Sequence, residues 1–223
     1  MEKQSRVIVI KGVGKATAAP DLVAIEMQLE TSEPQYEATM QHAAASIERL
    51  REAIEAAGLE GKTLKTTSFN INTKNESYQD EGTWRQRFVG YSCSHRLRLE
   101  FDLDMGLLGK VLGAIAGCEA NPNFNIRFTV KDPSAVSQQL LDSAVQNAKW
   151  KAEILARSSE VSLGQIQRID YSWSDIHLYS KTDMRMNDIV PLAAAPDAFN
   201  IEIEPEDIKL SDTVTVVWEI EES

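Results

Sequence analysis

Three stretches of the chain carry residue types that could do chemistry. The first is Gly12-Val13-Gly14-Lys15, which follows the apolar run Val7-Ile8-Val9-Ile10. Glycines after a strand can cradle a phosphate when a helix follows them, because its N-terminal N–H groups and dipole hold the anion. A Walker loop needs instead two glycines with four residues between them, followed by lysine and a hydroxyl residue. Neither pattern is present. Pro20-Asp21 comes next, and then Val23, Ile25, Met27 and Leu29 alternate with Ala24, Glu26, Gln28 and Glu30. Period two is a half-buried strand. The glycines therefore read as joining two strands in an antiparallel hairpin, with a bulge or a close backbone approach.

Cys93 and His95 are the second candidate. They stand two apart in an alternating segment, so both side chains point to one face of a strand. A thiol beside an imidazole is the pattern of a nucleophile with its base. Same-face neighbours on a strand stand about 7 Å apart, beyond hydrogen-bond reach. Between Tyr91 and Leu97, Cys93 reads as packed core and His95 as a satisfied or partly exposed residue.

Metal chemistry has less to rest on. His42, His95 and His177 are far apart, and no Cys-x-x-Cys occurs. Asp102-x-Asp104-x-Gly106 has the opening of a calcium loop without its remaining ligands or terminal glutamate. Asp104 reads better as a helix N-cap. Glu76, Asp80 and Glu81 read as a solvated hairpin tip. No catalytic residue, metal or cofactor is expected.

Composition narrows the classes further. The 223 residues are 43% hydrophobic and 26% charged, as in a globular chain with a sizeable core. A net charge of −11 argues against nucleic acid as a partner, and the densest basic run is only Lys149-Trp150-Lys151. No apolar run approaches the roughly 18 residues that span a bilayer, so membrane insertion is not expected. The first residues, Met1 to Arg6, lack an apolar signal segment, which reads as cytoplasmic; the cell envelope is the alternative if an export segment belongs to the protein. Cys93 and Cys118 read as free thiols.

These residues sit on readable elements. Ser32 and Gln35 have capping-box spacing before a helix whose apolar stripe is Tyr36, Met40, Ala43, Ile47, Leu50, Ile54 and Ala57, closed by Gly58. A strand follows in TLKTTSFNINTK. From Phe88 a long alternation puts Val89, Tyr91, Cys93, His95, Leu97, Leu99, Phe101 and Leu103 on one face, about 50 Å of strand. Met105 to Gly117 reads as a second helix and NFNIRFTV as a strand. A third helix opens at Asp132-Pro133 with Val136, Leu140, Ala144, Ala148, Ala152 and Leu155 buried. Ile169, Tyr171 and Trp173 alternate in a further strand, residues 178–200 read as a mobile loop, and DTVTVVWEI closes the chain as a strand. The order ββαββαβαββ is α+β: mainly antiparallel sheet, about three helices, and a long projecting hairpin, in one domain that admits a two-lobed organisation.

Gly12 and Gly14, Pro20-Asp21, Thr66 with Phe69, Gly90-Tyr91 and Lys151-Ala152, in this order, resemble the SIMPL-domain family, which includes the Omp28-like periplasmic immunogenic proteins of bacteria. The resemblance covers nearly the whole chain. It implies an α+β fold, homo-oligomers, and a link to the bacterial envelope or to stress tolerance, with no agreed catalytic site. The hairpin tip adds its own sign: Tyr78, Trp84 and Phe88 lie in or beside a polar stretch, where large aromatics suit a partner surface. The chain is therefore expected to be a non-enzymatic interaction domain that self-associates through Tyr78, Trp84 and Phe88. The alternative is a small-ligand binding module with its site between helix and sheet or at a subunit boundary.

Overall fold

A computed structural model of the chain describes residues 6–80, 82–171, 178–185 and 203–222. The elements are β1 (Val7–Ala18), β2 (Leu22–Glu33), α1 (Tyr36–Ala56), β3 (Lys65–Asp80), β4 (Thr83–Asp102), α2 (Met105–Gly117), β5 (Asn123–Thr129), α3 (Pro133–Ser158), β6 (Val161–Asp170), β7 (Tyr179–Arg185) and β8 (Ile208–Glu222). The expected α+β order holds, with β7 added. One sheet has the strand order β1-β8-β6 and the other β3-β4-β2-β5-β7. The chain divides into two compact units, one built on each sheet.

In the first unit, β1 runs antiparallel to β8 from Val7 opposite Glu219 to Ala18 opposite Ile208. The hairpin expected between the first two strands does not form. β1 takes its partner from the far end of the sequence, β2 pairs with β4 and β5, and Gly12 and Gly14 lie inside β1. The close backbone approach does hold. A Cβ at Gly12 would sit 2.2 Å from the Ala144 carbonyl oxygen, and one at Gly14 would sit 2.1 Å from that of Leu140. α3 can lie this near because its buried stripe is small: Ala144, Ala148 and Ala152 pack on Ile10, Val214, Val216 and Trp218. Asp132 starts the helix as expected, its Oδ1 accepting from the N–H groups of Ser134 (2.9 Å) and Ala135 (3.1 Å).

The approach also seals an edge. β1 has a strand neighbour on one side only. On its other side the Val13 N–H donates to Asn147 Oδ1 (2.9 Å), the Lys15 N–H to Ser143 Oγ (3.1 Å), and Lys151 Nζ donates to the Lys11 carbonyl (3.0 Å). Helix side chains thus satisfy backbone groups that an edge strand otherwise leaves open.

The second unit is a two-layer arrangement. α1 supplies Leu50 and Ile54, and α2 supplies Leu108, Val111, Leu112 and Ile115, to a core with Val23, Ile25, Met27, Leu29, Leu97, Leu99, Phe101, Phe124, Ile126 and Phe128 from β2, β4 and β5. α1 ends in a Schellman motif: Gly58 takes φ 102°, its N–H bonds Glu55 O, and the Leu59 N–H reaches back to Ile54 O. Asp104 caps α2 through the Leu107 N–H (2.9 Å). At the start of α1 the expected capping box is absent. β2 runs on to Glu33, Ser32 Oγ donates to the Tyr91 carbonyl, and the N-cap Gln35 makes no side-chain bond.

Part of the segment expected to be a mobile loop is ordered strand. β7 covers Tyr179–Arg185, Leu178 is buried, and buried Ser180 donates its hydroxyl to the Glu206 carbonyl (2.6 Å). Its residues gave no period to read, because one of the alternate buried positions, Ser180, is polar. Residues 186–200 of that segment, and Trp173, lie outside the described residues.

Candidate functional site

β3 and β4 form one antiparallel hairpin that reaches Asp80 opposite Thr83, with Gly82 at φ 84° in its turn. β3 is the edge strand. No residue from Lys65 to Asp80 belongs to the core of its unit, and the hairpin beyond Lys74 is exposed on both faces. This outer part, Asn75 to Phe88, is the arm.

The strict alternation expected from Phe88 breaks at one place. β4 carries a bulge there: Lys74 pairs with Gly90 and Asn75 with Phe88, so Val89 is extra. Gly90 holds φ 145°, and a Cβ on it would stand 2.4 Å from the Glu33 carbonyl oxygen. The extra residue flips the parity of everything beyond it. Phe88 comes to the same face as Tyr91, with ring centroids 5.3 Å apart, and Tyr91 in turn meets Tyr36 of α1 at 5.6 Å. The face of the arm that carries Phe88 therefore continues the face of the sheet that α1 covers.

Register sorts the arm's residues between its faces. Asn75 lies opposite Phe88, Ser77 opposite Gln86 and Gln79 opposite Trp84, all on the Tyr91 side. Glu76 lies opposite Arg87, Tyr78 opposite Arg85 and Asp80 opposite Thr83, on the other. Among the described residues of the arm, every charge is on that second face. Arg87 pairs with Glu76 (3.3 Å), Arg85 with Asp80 (3.3 Å), and the Arg87 guanidinium stands 5.8 Å over the Tyr78 ring. The first face is aromatic, amide and hydroxyl. Of the three residues expected at an interface, Trp84 (72% exposed) and Phe88 (54%) share the uncharged face, and Tyr78 (39%) is on the charged one.

Cys93 and His95 lie at the base of the hairpin and are buried, at 2% and 7% exposure. Burial pushes the Cys93 thiol up, away from the thiolate a nucleophile needs, and pushes the His95 imidazole down. His95 Nε2 bonds Thr66 Oγ1 (2.8 Å), Phe69 meets its ring edge-on at 5.0 Å, and its buried Nδ1 has no hydrogen-bond partner. The two side chains pin the edge strand to the core. His42 bonds Glu33 (2.8 Å), and His177 and Glu81 lie outside the described residues. Among the described residues, no three His, Cys, Asp or Glu side chains gather as metal ligands.

On the face of the second sheet away from α1 lies a concavity of about 420 Å³, lined by Glu30, Ser32, Lys74, Ser92 and Ser94 beside Cys93 and Thr31. It is not the site between helix and sheet expected for a ligand. No sequence signal marked it, because its lining residues come from three strands far apart in the chain.

The class is α+β, two antiparallel sheets with three helices, and its conspicuous surface is an aromatic arm. Residues 8–218 match the SIMPL family, described as a protein of unknown function, and the chain belongs to that family. It is 26% identical over 170 residues to the 26 kDa periplasmic immunogenic proteins of Brucella melitensis biotype 1 and of Brucella abortus strain S19; the match covers 76% of this chain and 68% of each relative. The residues that carried the resemblance are structural joints. Gly12 and Gly14 admit α3, the Asp21 N–H and C=O bond Thr129 and Leu103, Thr66 and Phe69 hold His95, Gly90 makes the bulge, and Lys151 seals β1. No described helix is long and apolar enough to cross a membrane.

Proposed function

We infer that this chain is a non-enzymatic interaction domain that self-associates through its arm, serving the cell envelope or its tolerance of stress. The observation that carries this reading is Trp84, almost three-quarters exposed on an arm, Asn75 to Phe88, that contributes nothing to the core of its unit. Two strands alone are marginal in water, and an unpaired edge with exposed aromatics gains stability from a further surface. The relatives' names favour the periplasm over the cytoplasmic reading. The burial of Cys93, which pushes its thiol up, counts against this residue as a nucleophile.

The test replaces residues 75–86 with Asn-Gly and measures mass by light scattering. The expected product is a smaller species that keeps its circular dichroism. A shortened protein with the parent's mass, or a parent that is monomeric at high concentration, overturns the reading. The concavity beside Lys74 favours the second reading, a small-ligand module. A thermal-shift screen tests it, since a ligand that binds only the folded state raises its stability.

A further inference from the structure

The two faces of the arm differ in a way that singles out which of them meets a partner. We propose that the uncharged face, Trp84, Gln86 and Phe88 with Gln79, Ser77 and Asn75, docks against the same face of a second copy of this chain, and that the charged face with Tyr78 stays in solvent. This rests on the self-association read above and assigns it a surface.

The first argument is electrostatic. The chain carries a formal charge of −11, so two copies repel one another over most approaches. The charged face would force the Arg87–Glu76 and Arg85–Asp80 pairs out of water. Among the described residues, the other face brings no charge to the contact. Its polar groups are amides and hydroxyls, each both donor and acceptor, so identical surfaces can satisfy one another.

The second argument is shape. On this face β4 supplies the large row, Trp84 and Phe88, and β3 the small row, Asn75 and Ser77 with Gln79. Two such faces stacked about 10 Å apart, as sheets pack, can set the large row of one copy over the small row of the other. The contact is then isologous, the same patch on both sides.

The third argument is area. The strip from the tip to Phe88 is about 20 Å long and about 10 Å wide, so covering it removes a few hundred Å² from each copy. A standard interface takes about 800 Å² per partner. Tyr91 and Tyr36 extend the aromatic row towards α1 and lengthen the strip. The resulting contact is weak for a single pair of arms, and its occupancy follows concentration.

The test compares Trp84→Arg with Tyr78→Arg, in the full chain, by sedimentation across a concentration series. Both residues are exposed, so circular dichroism should match the parent. Trp84→Arg is expected to raise the dissociation constant about thirtyfold or more, as loss of an aromatic anchor does. Tyr78→Arg is expected to leave it within a few-fold. Equal effects of the two changes, or no effect of Trp84→Arg, overturn this assignment of the face. If the 75–86 replacement still dissociates the protein in that case, self-association through the arm survives and runs along the β3 edge instead. A replacement that also keeps the parent's mass removes both inferences together.

Discussion

β1 and β3 are both edge strands, and they end in opposite conditions. β1 is sealed: α3 comes within backbone distance at Gly12 and Gly14, and Asn147, Ser143 and Lys151 bond its outward groups. β3 is pinned to the core only at its base, where the side chains of Thr66 and Phe69 meet His95, and its outer half is exposed on both faces. An edge closed by the chain's own helix is finished within one copy. The other edge is left open within one copy, with Trp84 and Phe88 exposed beside it. On the reading proposed above, the first edge serves the fold and the second serves assembly.

The largest expected effect comes from breaking the sealed edge. Gly14→Val places side-chain atoms where the Leu140 carbonyl and Ala144 N–H already stand, and backbone cannot step aside cheaply. A loss of more than about 3 kcal/mol is expected in urea unfolding. Ser77→Val on the open arm should change unfolding by less than about 0.5 kcal/mol, as for an exposed substitution. Similar losses at the two positions would erase the contrast. ATP or NAD titrated into the parent should give no specific heat, since Gly12 and Gly14 face α3 and not a phosphate.

A smaller effect sits at the base of β3. Burial lowers the pKa of His95 in the folded state below its ordinary 6.5. The unfolded chain then binds the proton more readily, so stability rises with pH through this window. The contribution is fully present above about pH 6.5 and is lost as pH falls towards the folded value. On the strands, the imidazole's neighbours on the same face are Cys93 and Leu97 on β4, Leu29 on β2, and Thr66 and Phe69 on β3, none of them charged; Arg96 and Arg98 alternate to the opposite side of the sheet. Urea midpoints between pH 7 and 5 should therefore fall less steeply in His95→Phe than in the parent. Equal slopes would show that this imidazole is not the group that titrates.

The smallest effect is kinetic. Cys93 is buried with its thiol pushed up, and Cys118 is half-buried at the end of α2. Iodoacetamide at neutral pH should label Cys118 first, and Cys93 only in denaturant. Fast labelling of Cys93 in the native protein would reopen a nucleophilic role.

Much of this architecture is legible in residue order, because local rules and tertiary structure agree there. Asp104, Asp132 and Gly58 mark helix ends, and the alternation from Tyr91 to Phe101 marks a half-buried strand. What escapes is non-local. The partner of β1 lies some two hundred residues away, so neighbouring strands read as a hairpin they do not form. Ser32 has the spacing of a cap, but β2 continues through it and Tyr91 takes its hydroxyl. The bulge at Val89 hides inside an unbroken alternation, since a one-residue insertion changes facing and not composition. For that reason three aromatics read as one patch when only Trp84 and Phe88 share a face. The sequence signal that would have separated them is the charge alternation Glu76, Tyr78, Asp80 against Asn75, Ser77, Gln79.

The central claim is that β1 is closed within one copy and the arm only between copies. Hydrogen exchange at two protein concentrations tests it on the unaltered chain. The amides of Val13 and Lys15 should be equally protected at both. Those from Asn75 to Phe88 should exchange fast when dilute and gain protection as concentration rises. Arm amides whose protection does not change with concentration, while the measured mass does, would contradict the account.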